Sequence, residues 1–538
     1  MPEALDLNDY VLTGRGDPAK ALAGLYFWTW DTREVLDLIQ WMRQYNADPS
    51  HERKVSFYGF DMQFPARAAQ DVRAYLQRVD PDRAKAAGPV LVRLSNPWEV
   101  QHLDRLSERA QRGMIASVAA ILSSFDRREA KYVRLTSRRG WRMARQEARI
   151  LAQNLEFRFA NPGARDRFMA ENLHWILDFE GPEAKLVAWA HNAHVAADPG
   201  DRNGSMGTWL RKQFGAEVVN FGFAFNQGSL RARDMAHAGE VRSFAIGPAP
   251  PGSLDAVLAG AGLSIAAVDL RALPKSGPVA AFFRRPLLAR WAGAGFVKGG
   301  FAISKTFPEA YDALLFVEKT SAAEPLPEGL RAALPKPLPR PANLDFEQST
   351  ADGRPACWSG AEGIAGVEYA VKDVPDRPHG GQRCAVIERV PGRHYGEVFG
   401  QLSQRINAEP FRGREVRLRA AVRLEGASPD SQAYLWLKVE SLLGPDFYAT
   451  APIVAPQWQI CGLSAPIKPS AQKLSYGLAF VGEGRAAIDD LTLTPAGVPA
   501  RLSLPLRNIA AAALGLGGVG LALFTMRHRA ARAKCPGT

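Results

Sequence analysis

The chain has 538 residues, 46% apolar and 23% charged, which is globular composition for more than one compact domain and excludes a disordered chain. Four cysteines without a CxxC pair exclude a disulfide-dense scaffold and a structural zinc module. The net charge is +12, and residues 65–165 carry 20 Lys and Arg against 10 Asp and Glu. Those charges alternate with acids and apolar residues, and no RNP, zinc-finger or basic-zipper pattern accompanies them. They read as an Arg-rich helical surface, so no nucleic acid is expected as a partner.

In chain order, Val55-Ser-Phe-Tyr58 is the first short apolar run that reads as a buried strand. A long helical region follows, with Ile115, Val118, Leu122 and Phe125 spaced three and four apart on one face. Further strands are predicted at Lys185–Trp189, Glu217–Phe225, Ser264–Leu270 and Ala313–Val317. Strands alternating with helices predict an α/β domain over residues 1–324, a mixed sheet with a large helical insertion. The prolines at 325, 327, 335, 337, 339 and 341 stop both helix and central strand, which makes 325–342 a stiff linker. Beyond it, Glu415–Leu424 and Tyr434–Glu440 alternate with period two, and Leu474–Phe480 and Ala486–Leu493 continue the pattern. An all-β jelly-roll sandwich is expected over 343–497.

Ile509–Met526 is an 18-residue run without a formal charge, about 27 Å long as a helix. A transmembrane helix is therefore predicted at 507–527 and a basic tail at 528–538. Arg527, Arg529, Arg532 and Lys534 follow the run, which places the tail in the cytoplasm and both folded domains outside, anchored to the membrane.

The segment richest in chemistry is Lys185-Leu-Val-Ala-Trp-Ala-His191-Asn192-Ala193-His194, where a predicted strand runs into two histidines at i,i+3. Open α/β sheets collect ligands at such strand ends, and imidazole serves there as a general base or a metal ligand. The competing reading is one capping or core histidine and one surface histidine. Asp61, in Gly59-Phe-Asp-Met-Gln63, follows the Val55 strand and is an orienting acid or a helix cap. Arg165, Asp166 and Glu171 open a helix that leads to the histidines, either reaching the site or forming a solvated first turn. Phe27-Trp-Thr-Trp30 reads as core or pocket wall. No Gly-x-Ser-x-Gly elbow, P-loop or well-placed GxGxxG is present, which argues against a serine hydrolase, an NTPase and a dinucleotide enzyme.

Leu7-Asn-Asp-Tyr-Val-Leu-Thr-Gly-Arg-Gly-Asp17, Phe27–Trp30, Gly59–Gln63, Arg165-Asp166 with Met169-Ala-Glu-Asn172, Trp189–His194, Gly207-Thr-Trp-Leu210, Gly222–Phe225 and Arg233-Asp234 occur in one order. This ordered set, over residues 2–320, resembles the erythromycin esterase family. The resemblance implies an α/β esterase fold that opens an ester or macrocyclic lactone with a histidine-activated water and no metal. It places His191, His194, Glu171 and Asp61 among catalytic positions, with Arg165, Asp166 and Trp30 toward the substrate. The family's base also lies in a Gly-Glu-x-x-His-Gly segment that this sequence does not contain, so a weakened, N-terminally shortened esterase is the expectation.

Two other readings stand beside it. One is a non-catalytic, envelope-associated carbohydrate-binding protein; Trp358, Tyr395, Trp436 and Trp458 are stacking candidates, with core packing the preferred reading for most of them. The other is a metal hydrolase using His191 and His194 with an added acid. In the sandwich, Asn343–Glu347 and Ile488–Leu491 resemble the termini of carbohydrate-binding jelly rolls, which implies either a structural calcium on Asp345, Glu347 and Asp490 or turn-capping carboxylates with no metal. Cys357 and Cys384 are a candidate pair outside the cytoplasm.

Overall fold

The computed structural model describes residues 2–197, 204–234, 241–290, 292–296, 301–304, 306–326, 337–360, 368–391, 398–441 and 444–496. Polar caps set most helix starts in the first half. Helix α1 (Ala4–Thr13) ends at Gly14 in the left-handed region, φ 78°. Asp17 caps α2 (Pro18–Ala23) and Thr32 caps α3 (Arg33–Ala47), each through a side-chain oxygen that accepts backbone N–H groups. Then follow α4 (Ala66–Val79), α5 (Pro81–Leu94), the short α6 (Pro97–Gln101) capped by Asn96, α7 (Glu108–Arg127) and α8 (Glu129–Leu135). The insertion closes with α9 (Arg138–Phe159) and α10 (Arg165–Glu180). Of the predicted stripe, Val118 and Phe125 are wholly buried, Leu122 is half-buried and Ile115 is exposed. The buried face of α7 is Met114, Val118, Ile121 and Phe125, one position off the predicted one at its start. It packs into a single core with α4, α5, α9 and α10.

After the short α11 (Asn192–Val195) and α12 (Met206–Phe214), the chain enters a mixed sheet. Its strands are β1 (Phe221–Asp234), β2 (Val241–Ile246), β3 (Ile265–Asp269), β5 (Gly295–Phe296) and β7 (Ala313–Thr320); β4 (Leu287–Arg290) and β6 (Phe301–Ser304) form a separate ribbon. The order is β2-β1-β7-β3, with β5 beside β1. Strands β1 and β7 run parallel, while β2 and β3 are antiparallel to their neighbours, so the predicted mixed sheet is present.

Two predicted strands are corrected. Val55–Tyr58 and Lys185–Trp189 run extended and join no ladder among the described residues. Side-chain amides hold the first: Asn46 donates to the Val11 and Val55 carbonyls and accepts the Val55 N–H, and Asn8 accepts the Phe57 N–H. Along the second, Leu186, Ala188 and Ala190 pack on the helical core, while Val187 is 97% exposed. A short apolar run marks a segment packed on a core, whether or not a neighbouring strand supplies hydrogen bonds.

The linker prediction is also revised at its start. Leu326 is buried against α1 and α3, and its N–H donates to the Asp31 carbonyl, so the first linker residues belong to the helical unit. The sandwich follows as two five-stranded sheets. One has the order β15-β12-β17-β10-β9 and the other β14-β13-β16-β11-β8. The first is built from β9 (Tyr369–Val374), β10 (Cys384–Arg389), β12 (Glu415–Glu425), β15 (Gln459–Pro466) and β17 (Arg485–Ala496). The second comprises β8 (Ser359–Gly360), β11 (Gly400–Asn407), β13 (Gln432–Ser441), β14 (Gly444–Ala449) and β16 (Ala471–Val481). Cys357 and Cys384 are both free, one exposed and one buried. The membrane helix at 507–527 and the tail at 528–538 lie outside the described residues, and no described helix is long and apolar enough to cross a membrane.

Candidate active site

The histidine motif sits where the chain turns from the extended 185–190 segment into α11. His191 is the N-cap of that helix: its Nδ1 accepts the Ala193 N–H at 3.1 Å. That bond assigns the proton to Nε2, which then donates to the Ala292 carbonyl at 2.9 Å. Burial first, and then the neighbouring His194, hold this imidazole below its ordinary value of 6.5, against the upward pull of the Ala292 bond. His191 therefore matches the capping alternative.

His194 differs. Its Nδ1 lies 2.9 and 3.0 Å from the two Asp166 oxygens, so Nδ1–H donates to a carboxylate and Nε2 carries the lone pair. The carboxylate is fixed in turn, because its Oδ2 also accepts the Met206 N–H that opens α12 at 3.0 Å. Helix α12 comes this close because residue 207 is glycine. A Cβ there would stand 2.0 Å from the Val195 carbonyl oxygen.

Beside this pair, Arg165 grips Asp61 through Nη2 at 2.7 Å and Nε at 3.2 Å. Asp61 also accepts the Met62 N–H and the Gln63 amide. Burial pushes this carboxyl up, but the Arg165 guanidinium outweighs it and holds Asp61 below the ordinary 3.8. Arg165 and Asp166 are adjacent on the first turn of α10, so one helix start carries the partner of Asp61 and the partner of His194.

The motif's asparagine carries a role that the sequence reading missed. Asn192 donates to the Phe223 carbonyl at 2.8 Å and accepts its N–H at 2.9 Å, completing the backbone pairing of β1 at that residue. Tyr311 donates its hydroxyl to the Asn192 carbonyl at 3.0 Å, and burial pushes that phenol up to about 12, keeping it a donor. An asparagine between two histidines, followed by a strand, was the available signal.

Other predicted residues lie elsewhere. Glu171 faces a different groove, about 360 Å³, between α7, α9 and α10, where it pairs with Arg149 at 2.8 Å and Gln153 at 3.2 Å. Five residues along α10 turn its side chain away from the face that carries Asp166. Trp30 meets Trp189 edge-on at 5.0 Å, beside the motif. Of the three residues in the calcium expectation, Glu347 accepts the N–H groups of Gln382 and Arg383, Asp490 pairs with His379 at 2.6 Å, and Asp345 is exposed. Among the described residues, no group of three His, Cys, Asp or Glu side chains is arranged to hold a metal ion.

Helices and a mixed sheet, followed by a β-sandwich, define an α/β protein in which one imidazole of the histidine motif is held by a carboxylate. Residues 1–320 match the family model described as erythromycin esterase, and the chain belongs to that family. It is similar to the YbfO protein of Bacillus subtilis, named as a hydrolase, at 32% identity over 114 residues, 20% of this chain and 25% of the relative. It is 24% identical over 171 residues to erythromycin esterase type II of Escherichia coli, 30% of this chain and 38% of that one. The matched segments thus span well under half of either relative. Among solved structures, a Bacillus cereus protein superposes on 60% of this chain and 79% of its own with TM-score 0.50 and 21% identity, a likeness of fold. The sandwich resembles a family 22 carbohydrate-binding module of Clostridium thermocellum, at 16% identity over 31% of this chain and 100% of that module, with TM-score 0.23.

Proposed function

We propose that the chain hydrolyses an ester or lactone by general-base activation of water at His194, with Asp166 as the residue that orients the base. The observation that carries this is the double contact of Nδ1 with the Asp166 carboxylate. It fixes the tautomer and leaves the lone pair on Nε2. In the reaction, Nε2 takes a proton from water as the oxygen attacks the carbonyl carbon. The imidazolium is stabilised by Asp166 and returns that proton to the leaving alkoxide as the carbon–oxygen bond breaks. A carboxylic acid and an alcohol result. His191, with both ring nitrogens engaged, positions α11. The Asp61–Arg165 pair fixes the first turn of α10, on which Asp166 stands. Glu171 acts in neither role. Exposed Trp189, Phe221 and Phe223 flank the motif and supply an apolar shelf suited to a large ring.

The test is hydrolysis of p-nitrophenyl esters and of a 14-membered macrolactone by the full chain. His194→Ala and Asp166→Asn should each lower kcat/KM by about 10²–10⁴-fold. Hydrolysis at an unchanged rate in His194→Ala, or no hydrolysis by the parent chain across the ester series, overturns the reading.

A further inference from the structure

Strand β13 carries Tyr-Leu-Trp-Leu, and alternation assigns Leu435 and Leu437 to the sandwich core and Tyr434 and Trp436 to its outer face. On a free sandwich that outer face is solvated. Here it is sealed: Tyr434 is 2% exposed and Trp436 4%. The seal is Trp98 from α6 of the helical unit, itself only 5% exposed.

Trp98 stacks on Tyr434 with ring centroids 5.1 Å apart and planes 24° from parallel, and meets Phe399 edge-on at 5.2 Å. Trp436 is stacked on Phe447 at 5.7 Å and 8°. The ring face on which a sugar would stack is thus already covered by protein. The polar contacts are specific as well. Asn96, which caps α6, donates to the Tyr434 hydroxyl at 3.1 Å and to Gln432 at 3.0 Å, while the Tyr434 hydroxyl donates to Glu99 at 3.1 Å. Arg105 donates to the Phe447 carbonyl at 3.1 Å and lies over its ring at 4.7 Å. Trp436 Nε1–H finds no acceptor among the described residues, a cost that the surrounding aromatic packing outweighs.

We propose that this aromatic face is an intramolecular dock that seats residues 96–105, binds the sandwich to the helical unit as one body, and is closed to polysaccharide. The sandwich's role on this face is structural. A second contact supports it, because Val398, just before β11, packs on Tyr26 and Phe64 of the helical unit.

The experiment uses the full chain and limited proteolysis within 325–342, with affinity electrophoresis in soluble xylan alongside. Trp98→Ala should raise cleavage at least about tenfold by undocking the sandwich. Tyr434→Phe and Glu99→Gln, each milder, form a cycle with the double variant, and their effects on cleavage should be non-additive by twofold or more. The parent chain should migrate unretarded in xylan. Parent-like cleavage of Trp98→Ala, or additive effects in the cycle, overturns the dock. Retardation of the parent chain by xylan that Trp436→Ala abolishes overturns the closure to polysaccharide. Should Trp98→Ala fail to fold, the Tyr434–Glu99 cycle decides.

Discussion

The sandwich and the helical unit treat strand-like apolar segments differently. In the sandwich, Glu415–Glu425 and Gln432–Ser441 are paired on both sides, β12 with β15 and β17 and β13 with β14 and β16. In the helical unit, the short apolar runs Val55–Tyr58 and Lys185–Trp189 join no ladder among the described residues, and the first is held by Asn8 and Asn46 instead. A strand-like apolar segment therefore reports packing, while pairing is decided by what lies beside it. In the helical unit, side-chain amides do locally what neighbouring strands do in the sandwich.

The largest expected effect is in the sandwich core. Leu435→Ala, at a wholly buried position, should cost about 2–5 kcal/mol in urea unfolding monitored on the sandwich. A cost under 1 kcal/mol would mean that the sandwich core is as loosely organised as the unpaired segments. Asn46→Ala should cost about 1–3 kcal/mol, since it leaves the Val11 and Val55 carbonyls and the Val55 N–H without their partner. An unchanged midpoint would show that the amide does not stand in for a strand.

A smaller effect belongs to acid. Asp61 has its folded value held below the ordinary 3.8 by Arg165, so its contribution is present above that pH and is lost as pH falls through the folded value. Melting from pH 6 to pH 2 should show a steeper acid loss in the parent chain than in Asp61→Asn. Parallel curves would break the assignment of this pair as a clamp on α10. The smallest effect is at Val187, where Val187→Thr should lie within about 0.5 kcal/mol of the parent chain because the side chain is 97% exposed. A loss of 2 kcal/mol there would mean that the segment is covered in solution and that the contrast between the two regions fails.

Part of this cluster is legible in the sequence. The motifs single out His191, His194, Asp61, Arg165 and Asp166, and the structure joins Asp61 to Arg165 and Asp166 to His194, although the two strands expected to end there are not strands. Their pairing was not legible. Which acid meets His194 depends on α10 and α12 converging, and that requires Gly207 to let α12 approach Val195. Glu171 illustrates the converse: it shares a helix with Asp166, but 3.6 residues per turn carry it to the groove beside Arg149.

By itself, the amino-acid sequence determined the two kinds of unit, the alternation of β12 and β13 and the family, because each is written in local spacing or an ordered set of motifs. Tertiary structure alone decided three things. It made His191 a cap and His194 the carboxylate-held imidazole. It left two strand-like segments unpaired. It also turned the outer aromatic face of β13 inward against Trp98. The His194–Asp166 contact joins residues 28 positions apart and the Asn96–Tyr434 contact residues 338 apart, and side-chain periodicity along one segment carries no information about what will be packed against it.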